Sequence, residues 1–179
     1  MRIISGIAKG TRLKSPTGLN TRPTADMVKE AVFSIIHQDI PGSIVLDLFS
    51  GSGQLGLEAL SRGAEYCVFA DSDREAFKIT KENAELAGFS EKSRILLRDA
   101  VSYLKSNKDK FDIAFIDPPY ADGLYEKVLT ALSPRMSERG KVICEHDIKT
   151  DTPDICGDLR KQKSYKYGRK KITVYAIDI

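Results

Sequence analysis

Residues 47–56, DLFSGSGQLG, decide how this chain is read. Gly51, Gly53 and Gly56 form a G-x-G-x-x-G between an apolar run, SIVLDLF, and a segment of helical period, GQLGLEALSRGA. A glycine turn from strand to helix lets a ligand approach the backbone, and the helix N-terminus adds unpaired N–H donors. Spacing alone suits a dinucleotide or any other adenosine cofactor. Asp47 narrows the choice. It stands at the strand end, four residues ahead of Gly51, where a carboxylate repels a pyrophosphate and attracts a cation. The ammonium and sulfonium of S-adenosylmethionine meet that preference.

Strand and helix signals alternate away from this loop, the pattern of a mostly parallel sheet covered by helices. YCVFAD is a second strand, followed by the helix DREAFKITKENAELAG, with Asp73 as its cap and Gly88 as its stop. RILLRD and FDIAFIDPPY supply two more strands around a short helix from Ala100 to Lys105. LYEKVLTALSPRM reads as a helix and KVICEH as a fifth strand. LRKQKSYKY and KITVYAI form an antiparallel pair turned near Gly168. Ahead of this core, RIISGIAKGTRLKSP reads as a small β-hairpin and RPTADMVKEAVFSII as a helix beginning after Thr24, with Val28, Ala31, Val32 and Ile35 on one face. The 179 residues suffice for one α/β domain and are too few for two. One domain over 1–179 is expected, with 1–40 a hairpin-and-helix extension and 41–179 a Rossmann-like core.

Several classes of protein are disfavoured by composition. No window approaches eighteen uncharged apolar residues, and MRIISGIAKG lacks an apolar stretch of export-signal length, so a cytoplasmic protein without a membrane span is expected. Cys67, Cys144 and Cys156 form no C-x-x-C, and His37 and His146 lie apart from them. EHD, residues 145–147, places neighbours on opposite faces of a strand, so no metal is expected. Net charge is only +3, but its distribution is uneven. Residues 1–25 and 160–171 hold twelve of the 28 basic residues and none of the 25 acidic ones. If both ends meet on one face, Arg2, Lys9, Arg12, Lys14, Lys166, Arg169 and Lys170 form a footprint for a polyanion such as RNA, with Tyr165 and Tyr167 for stacking or packing. A solvated basic hairpin is the alternative.

The reaction is suggested by IDPPY. Asp71, ending YCVFAD, can accept both ribose hydroxyls of an adenosine cofactor, and Asp99 with Ala100, where the third strand stops, can meet the adenine or start a helix. Asp117, Pro118, Pro119 and Tyr120 end the fourth strand at the same sheet edge. Two prolines remove two N–H donors and leave an acceptor-rich corner, suited to an exocyclic base amine, on which Tyr120 can stack. Hydrogen bonds from the amine to Asp117 and the Pro118 carbonyl localise its lone pair for attack on a methyl group, a step helped mainly by positioning. A merely rigid turn is the alternative for this motif. Arg22 can hold the cofactor carboxylate, bind an RNA phosphate, or pair with Asp26 or Glu30 on the surface.

RPTADMVKEAVF, LDLFSGSGQLGLEALSRGA and FIDPPY, in this order, resemble the RsmD family of 16S ribosomal RNA guanine-N2 methyltransferases. The likeness runs from RIISG to the last strands. It implies a seven-stranded class I methyltransferase fold, S-adenosylmethionine as donor and a guanine of small-subunit ribosomal RNA, naked or in a particle, as acceptor, with a monomer expected. Onto matching positions it places Asp47, Gly51, Gly53, Asp71 and Asp99 at the cofactor and Asp117 to Tyr120 at the catalytic corner. Asp71 stands where members more often have glutamate, which leaves the ribose contact open. The choice of guanine N2 over adenine N6 rests on the resemblance, since the DPPY corner accepts either amine. An oxidoreductase using NAD(P), or an RNA-binding factor without catalysis, are the other readings of the same residues.

Overall fold

The computed structural model describes residues 1–16, 23–119 and 123–178. Arg22 and Tyr120 therefore lie outside the described residues. Helix α1 (Pro23–Ile35) precedes β1 (Ile44–Leu48), α2 (Gln54–Ser61), β2 (Tyr66–Asp71), α3 (Arg74–Leu86), β3 (Ser93–Leu97), α4 (Ala100–Ser106), β4 (Phe111–Ile116), α5 (Leu124–Leu132) and β5 (Met136–Asp147). Strands β6 (Ile155–Cys156), β7 (Leu159–Tyr167) and β8 (Lys170–Ile177) follow. They form one sheet in the order β3-β2-β1-β4-β5-β8-β7-β6. The first five pair in parallel, and β8, β7 and β6 add antiparallel.

Central strands buried on both faces need continuous apolar runs, and IVLDL and FDIAFI supply them. Val45, Ile113, Phe115 and Ile143 join one hydrophobic cluster with α1 and α2. Leu46, Leu48, Ala114 and Ile116 join the other with α4 and α5. The seven strands implied by the family resemblance are present, and the two-residue β6 adds an eighth at the edge. Strand β5 begins at Met136, five residues before KVICEH, because Pro134 closes α5 in a 3-10 turn and hands the chain straight to the sheet. Its pairing with β4 jumps from Phe111↔Met136 to Ile113↔Lys141, so the polar residues between Met136 and Lys141 bulge out, which is why no strand signal is visible there.

The expected N-terminal hairpin reduces to one antiparallel bridge, Arg2 with Arg12, closed by Ile3 N–H to Thr11 O at 3.0 Å and Leu13 N–H to Met1 O at 3.0 Å. The loop between is tied to α2 instead of to a second strand. Ile7 N–H donates to Ser61 O at 2.8 Å, Ala8 N–H to Ser61 Oγ at 3.0 Å, and Ser61 Oγ donates to Ser5 O at 2.6 Å. Gly6 has φ +86°, and a Cβ there would lie 1.8 Å from Ser61 O. Gly6→Ala is expected to destabilise the protein by about 2 kcal/mol or more, a thermal midpoint drop of roughly 4–8 °C, read by melting.

Candidate active site

The strand ends gather acids. Asp47 is the fourth residue of β1 and is 3% exposed. One carboxylate oxygen accepts the Gly56 N–H at 2.9 Å, which ties the strand to α2. Among the described residues the other influences on it are unfavourable: burial above all, then the carboxylates of Asp117 and Asp71, push its pKa up to about 8. A buried acid facing two others is a site that gains from a bound cation.

The three glycines have different tasks. A Cβ on Gly51 (φ +57°) would meet nothing, so this residue faces open space. One on Gly53 (φ +75°) would come 2.9 Å from Thr80 Cγ2, and one on Gly56 would come 2.3 Å from Phe69 Cε1. Gly56 thus lets α2 lie close on β2, while Gly51 and Gly53 shape the turn. Phe49, at φ +61°, is the one non-glycine residue with positive φ among the described residues, a strained entry to the loop that the sequence does not announce. Thr80 Oγ1 donates to Gly51 O at 2.9 Å and braces the turn from α3.

Asp71 ends β2, and its carboxylate accepts Gly51 N–H and Asp73 N–H, both at 2.9 Å. Each oxygen keeps a lone pair for a further donor. Asp73 caps α3 through Ala76 N–H at 2.8 Å. Asp99 caps α4 through Ser102 N–H at 2.9 Å, with one oxygen left over, and Ala100 is buried in the first turn. These residues fit an adenosine cofactor with a cationic end: open space at Gly51, spare acceptors at Asp71 and Asp99, and an acid at Asp47 whose burial is relieved by positive charge.

Asp117 and Pro118 follow β4, the strand beside β1. Asp117 keeps contact with water, which limits how far its pKa moves; the surrounding protein and the Glu145 carboxylate push it above the ordinary range, and Lys170 opposes them. Pro118 is buried and Pro119 exposed. Of the basic residues expected to form a polyanion footprint, Arg2, Lys9, Arg12, Lys14, Lys166 and Arg169 are exposed and Lys170 is half-buried. Lys14 is paired at 2.7 Å with Glu82. Both basic segments rest on the same cluster, through Ile3 and Leu13 at one end and Tyr165 and Tyr167 at the other. Tyr165 packs there with Lys163 Nζ 4.9 Å from its ring centroid.

Two polar residues that the sequence reading passes over hold this region together. Asn83 on α3 is 0% exposed; its Nδ2 donates to Ser52 O at 2.8 Å and Lys14 O at 3.0 Å, and its Oδ1 accepts Lys14 N–H at 2.8 Å. Glu58 on α2 is also 0% exposed and accepts the N–H groups of Ile4 (2.8 Å) and Ser5 (3.0 Å) and Arg62 Nε–H (2.9 Å). Both look like surface positions in sequence, because the N-terminal segment that covers them, Ile4 and Ser5 on Glu58 and Lys14 on Asn83, lies more than fifty residues away.

Asp47 yields a prediction with two signs. Its folded pKa is raised, so its contribution to stability is full below about pH 4 and is lost as pH rises through about 8. Asp47→Asn removes that loss. Without cofactor, the variant should melt higher than the wild type by an amount that grows from pH 4 to 8 and reaches about 2 kcal/mol or more. It should bind S-adenosylmethionine about 10- to 100-fold more weakly, as calorimetry at pH 8 would measure.

Comparison with known proteins bears on the family of the chain. A family model described as "Conserved hypothetical protein 95" matches residues 1–176. A Bacillus subtilis protein named as a candidate rRNA methyltransferase, YlbH, is 37% identical over 98% of each chain. The "Ribosomal RNA small subunit methyltransferase D" of Haemophilus influenzae is 36% identical over 92% of this chain and 88% of its own. A solved Escherichia coli structure named as a candidate methyltransferase, yhhF, superposes with a TM-score of 0.88 at 26% identity, covering 100% of this chain and 98% of that one. With its whole core and its N-terminal extension matched in this way, the chain belongs to the RsmD family.

Proposed function

We propose that this chain methylates the exocyclic N2 amine of a guanine in small-subunit (16S) ribosomal RNA, with S-adenosylmethionine as donor. The observation that carries the reading is the juxtaposition of two acids, Asp47 on β1 and Asp117 after β4, at one edge of adjacent parallel strands. The first suits the cationic end of a methyl donor and the second an amine acceptor.

When bound, the cofactor would supply an electrophilic methyl group on a sulfonium sulfur, a leaving group able to take the electron pair of the S–C bond. Asp47 holds the ammonium end, Asp71 the ribose and Asp99 with Ala100 the adenine edge. Asp117 and the Pro118 carbonyl accept the protons of the amine, turn its lone pair towards the methyl and give the departing proton a route to solvent. Pro119 stiffens the corner, Tyr120 stacks on the base, and Arg22 holds the cofactor carboxylate. Arg2, Lys9, Arg12, Lys14, Lys166 and Arg169 take the RNA backbone, and Lys170, beside Glu145, meets the RNA at the corner. The chain acts as one domain, monomeric and cytoplasmic. Among the described residues no helix is long and apolar enough to cross a membrane.

The test is transfer of a labelled methyl group by purified protein to small-subunit particles from cells lacking the enzyme, followed by mass spectrometry of the digested nucleosides. N2-methylguanosine at one position supports the reading. No transfer, or a different methylated nucleoside, overturns it.

A further inference from the structure

Beside the catalytic corner stands a second acid that the methyl-transfer step does not use. Ile116 pairs with Cys144 at the end of the β4–β5 ladder, so the next residues, Asp117 and Glu145, stand side by side at about one strand spacing, roughly 5 Å. Phe115 and Ile143 face the cluster of α1 and α2, and Ile116 and Cys144 face the other. By alternation Asp117 and Glu145 both leave on the α1 side, as Asp47 does after Val45. Lys170 begins β8 opposite Asp147, and its Nζ lies 3.6 Å from Glu145 Oε1. Asp117 feels both charges.

The arrangement is poor as structure. An acid placed beside Asp117 opposes its ionisation, and at an RNA-facing edge it repels phosphate. The ion pair is longer than the 2.7–2.9 Å of a charge-assisted hydrogen bond, so both groups keep free hydrogen-bonding capacity. Their side chains are 21% and 43% exposed, so both reach solvent. The backbone beneath is fixed, because Tyr125 Oη donates to Glu145 O at 2.6 Å.

Building on the guanine-N2 reading above, we infer that Glu145 and Lys170 read the guanine edge and so determine which base is methylated. From its amine inward, guanine presents N2–H2, then the N1–H donor, then the O6 acceptor. Asp117 and Pro118 O take the amine, Glu145 accepts N1–H, and Lys170 donates to O6. Adenine held by its N6 amine presents the N1 lone pair to the Glu145 carboxylate and a C2–H to Lys170. Acceptor then meets acceptor, and the base is refused.

The experiment uses two substrates: small-subunit RNA with the mapped target guanosine, and the same RNA with adenosine at that position. Wild-type protein should methylate the first and leave the second untouched. Glu145→Gln should bind the cofactor within about threefold of wild type. Its kcat/KM on guanosine should fall about a hundredfold. It should also form N6-methyladenosine on the second RNA, because the glutamine amide donates to adenine N1. An unchanged guanosine-to-adenosine ratio, at any absolute rate, overturns the inference. If Glu145→Gln binds no cofactor, Lys170→Met decides the matter: a ratio lowered about tenfold supports the pair and an unchanged one overturns it. Failure of wild-type protein to form N2-methylguanosine on the first RNA would instead remove the functional reading, and this inference with it.

Discussion

Asp117→Ala is expected to lower kcat/KM for methyl transfer by about a factor of 1,000 while S-adenosylmethionine affinity stays within about threefold. A positioned acceptor on a reacting amine contributes on the order of 10²–10⁴. Asp117 lies one strand from Asp47, and among the described residues the side-chain hydrogen bonds to the glycine-loop backbone come from Asp47, Asp71, Thr80 and Asn83. Its loss should therefore appear in turnover and leave binding alone. Asp117→Asn keeps one acceptor oxygen and should fall in between. The wild-type rate should decline on the acid side at a higher pH than an ordinary carboxylate gives, because protein packing and Glu145 raise this group and Lys170 only partly offsets them. Single-turnover rates across pH 5–8, compared with Glu145→Gln, would measure it: removing the neighbouring charge should move the midpoint down.

The largest effect on stability is expected at Glu58. Four donors converge on this carboxylate: the two backbone N–H groups of Ile4 and Ser5, Arg62 Nε, and Lys29 Nζ at 3.5 Å. Lys29 is as buried as its partner; burial lowers its pKa, with Glu58 opposing, and its ammonium also donates to Arg2 O at 2.7 Å. Glu58→Ala strands a buried ammonium and two backbone donors together. Breaking a buried pair on one side costs about 3–5 kcal/mol, which at this chain length lowers the thermal midpoint by roughly 6–20 °C. Hydrogen exchange at the Ile4 and Ser5 amides should accelerate well before global unfolding. The double change Glu58→Leu with Lys29→Met should regain part of the loss, since the fully buried ammonium goes with its partner and only the partly exposed Arg62 is left unpaired. If Glu58→Ala melts like the wild type, the N-terminal segment is held by something other than this carboxylate.

The succession of strands and helices along the chain, and the acids where strands end, are legible in the sequence because both are written locally. Asp47, Asp71, Asp99 and Asp117 each stand at the end of a run that reads as a strand, and a glycine turn, a helical period or, after Asp117, two prolines mark the break. What it misses is written across long separations. Glu58 and Arg62 look like an ordinary i,i+4 surface pair, and nothing near them says that residues 4 and 5 arrive to be capped. Asn83 sits among Lys81, Glu82 and Glu85, on what reads as a wet helix face, and is buried only because Lys14 and Ser52 cover it. Glu145 is half hidden by its neighbours in EHD, a run whose residue types suggest metal ligation before base recognition. Its meaning comes from β4 and β8, which pair with it only in the folded sheet. The beginning of β5 escapes for another reason: polar residues between Met136 and Lys141 bulge out of the ladder and break the alternation that marks a strand.

Asn83 has a consequence for anyone who would rebuild this protein. A loop that merely decorates a Rossmann-like core can be exchanged with a relative's loop, or cut away to leave a smaller enzyme. Here a single buried amide grips the main chain of Lys14 with two bonds and the turn of the glycine loop with a third. The first sixteen residues are thus not an interchangeable cassette. Grafting them onto another core means transplanting the faces of α2 and α3 that receive them, and deleting them strips Glu58 of its two backbone donors and Asn83 of two of its three bonds, and uncovers the apolar cluster that Ile3 and Leu13 close. Any change to this segment is felt at the glycine loop through Asn83.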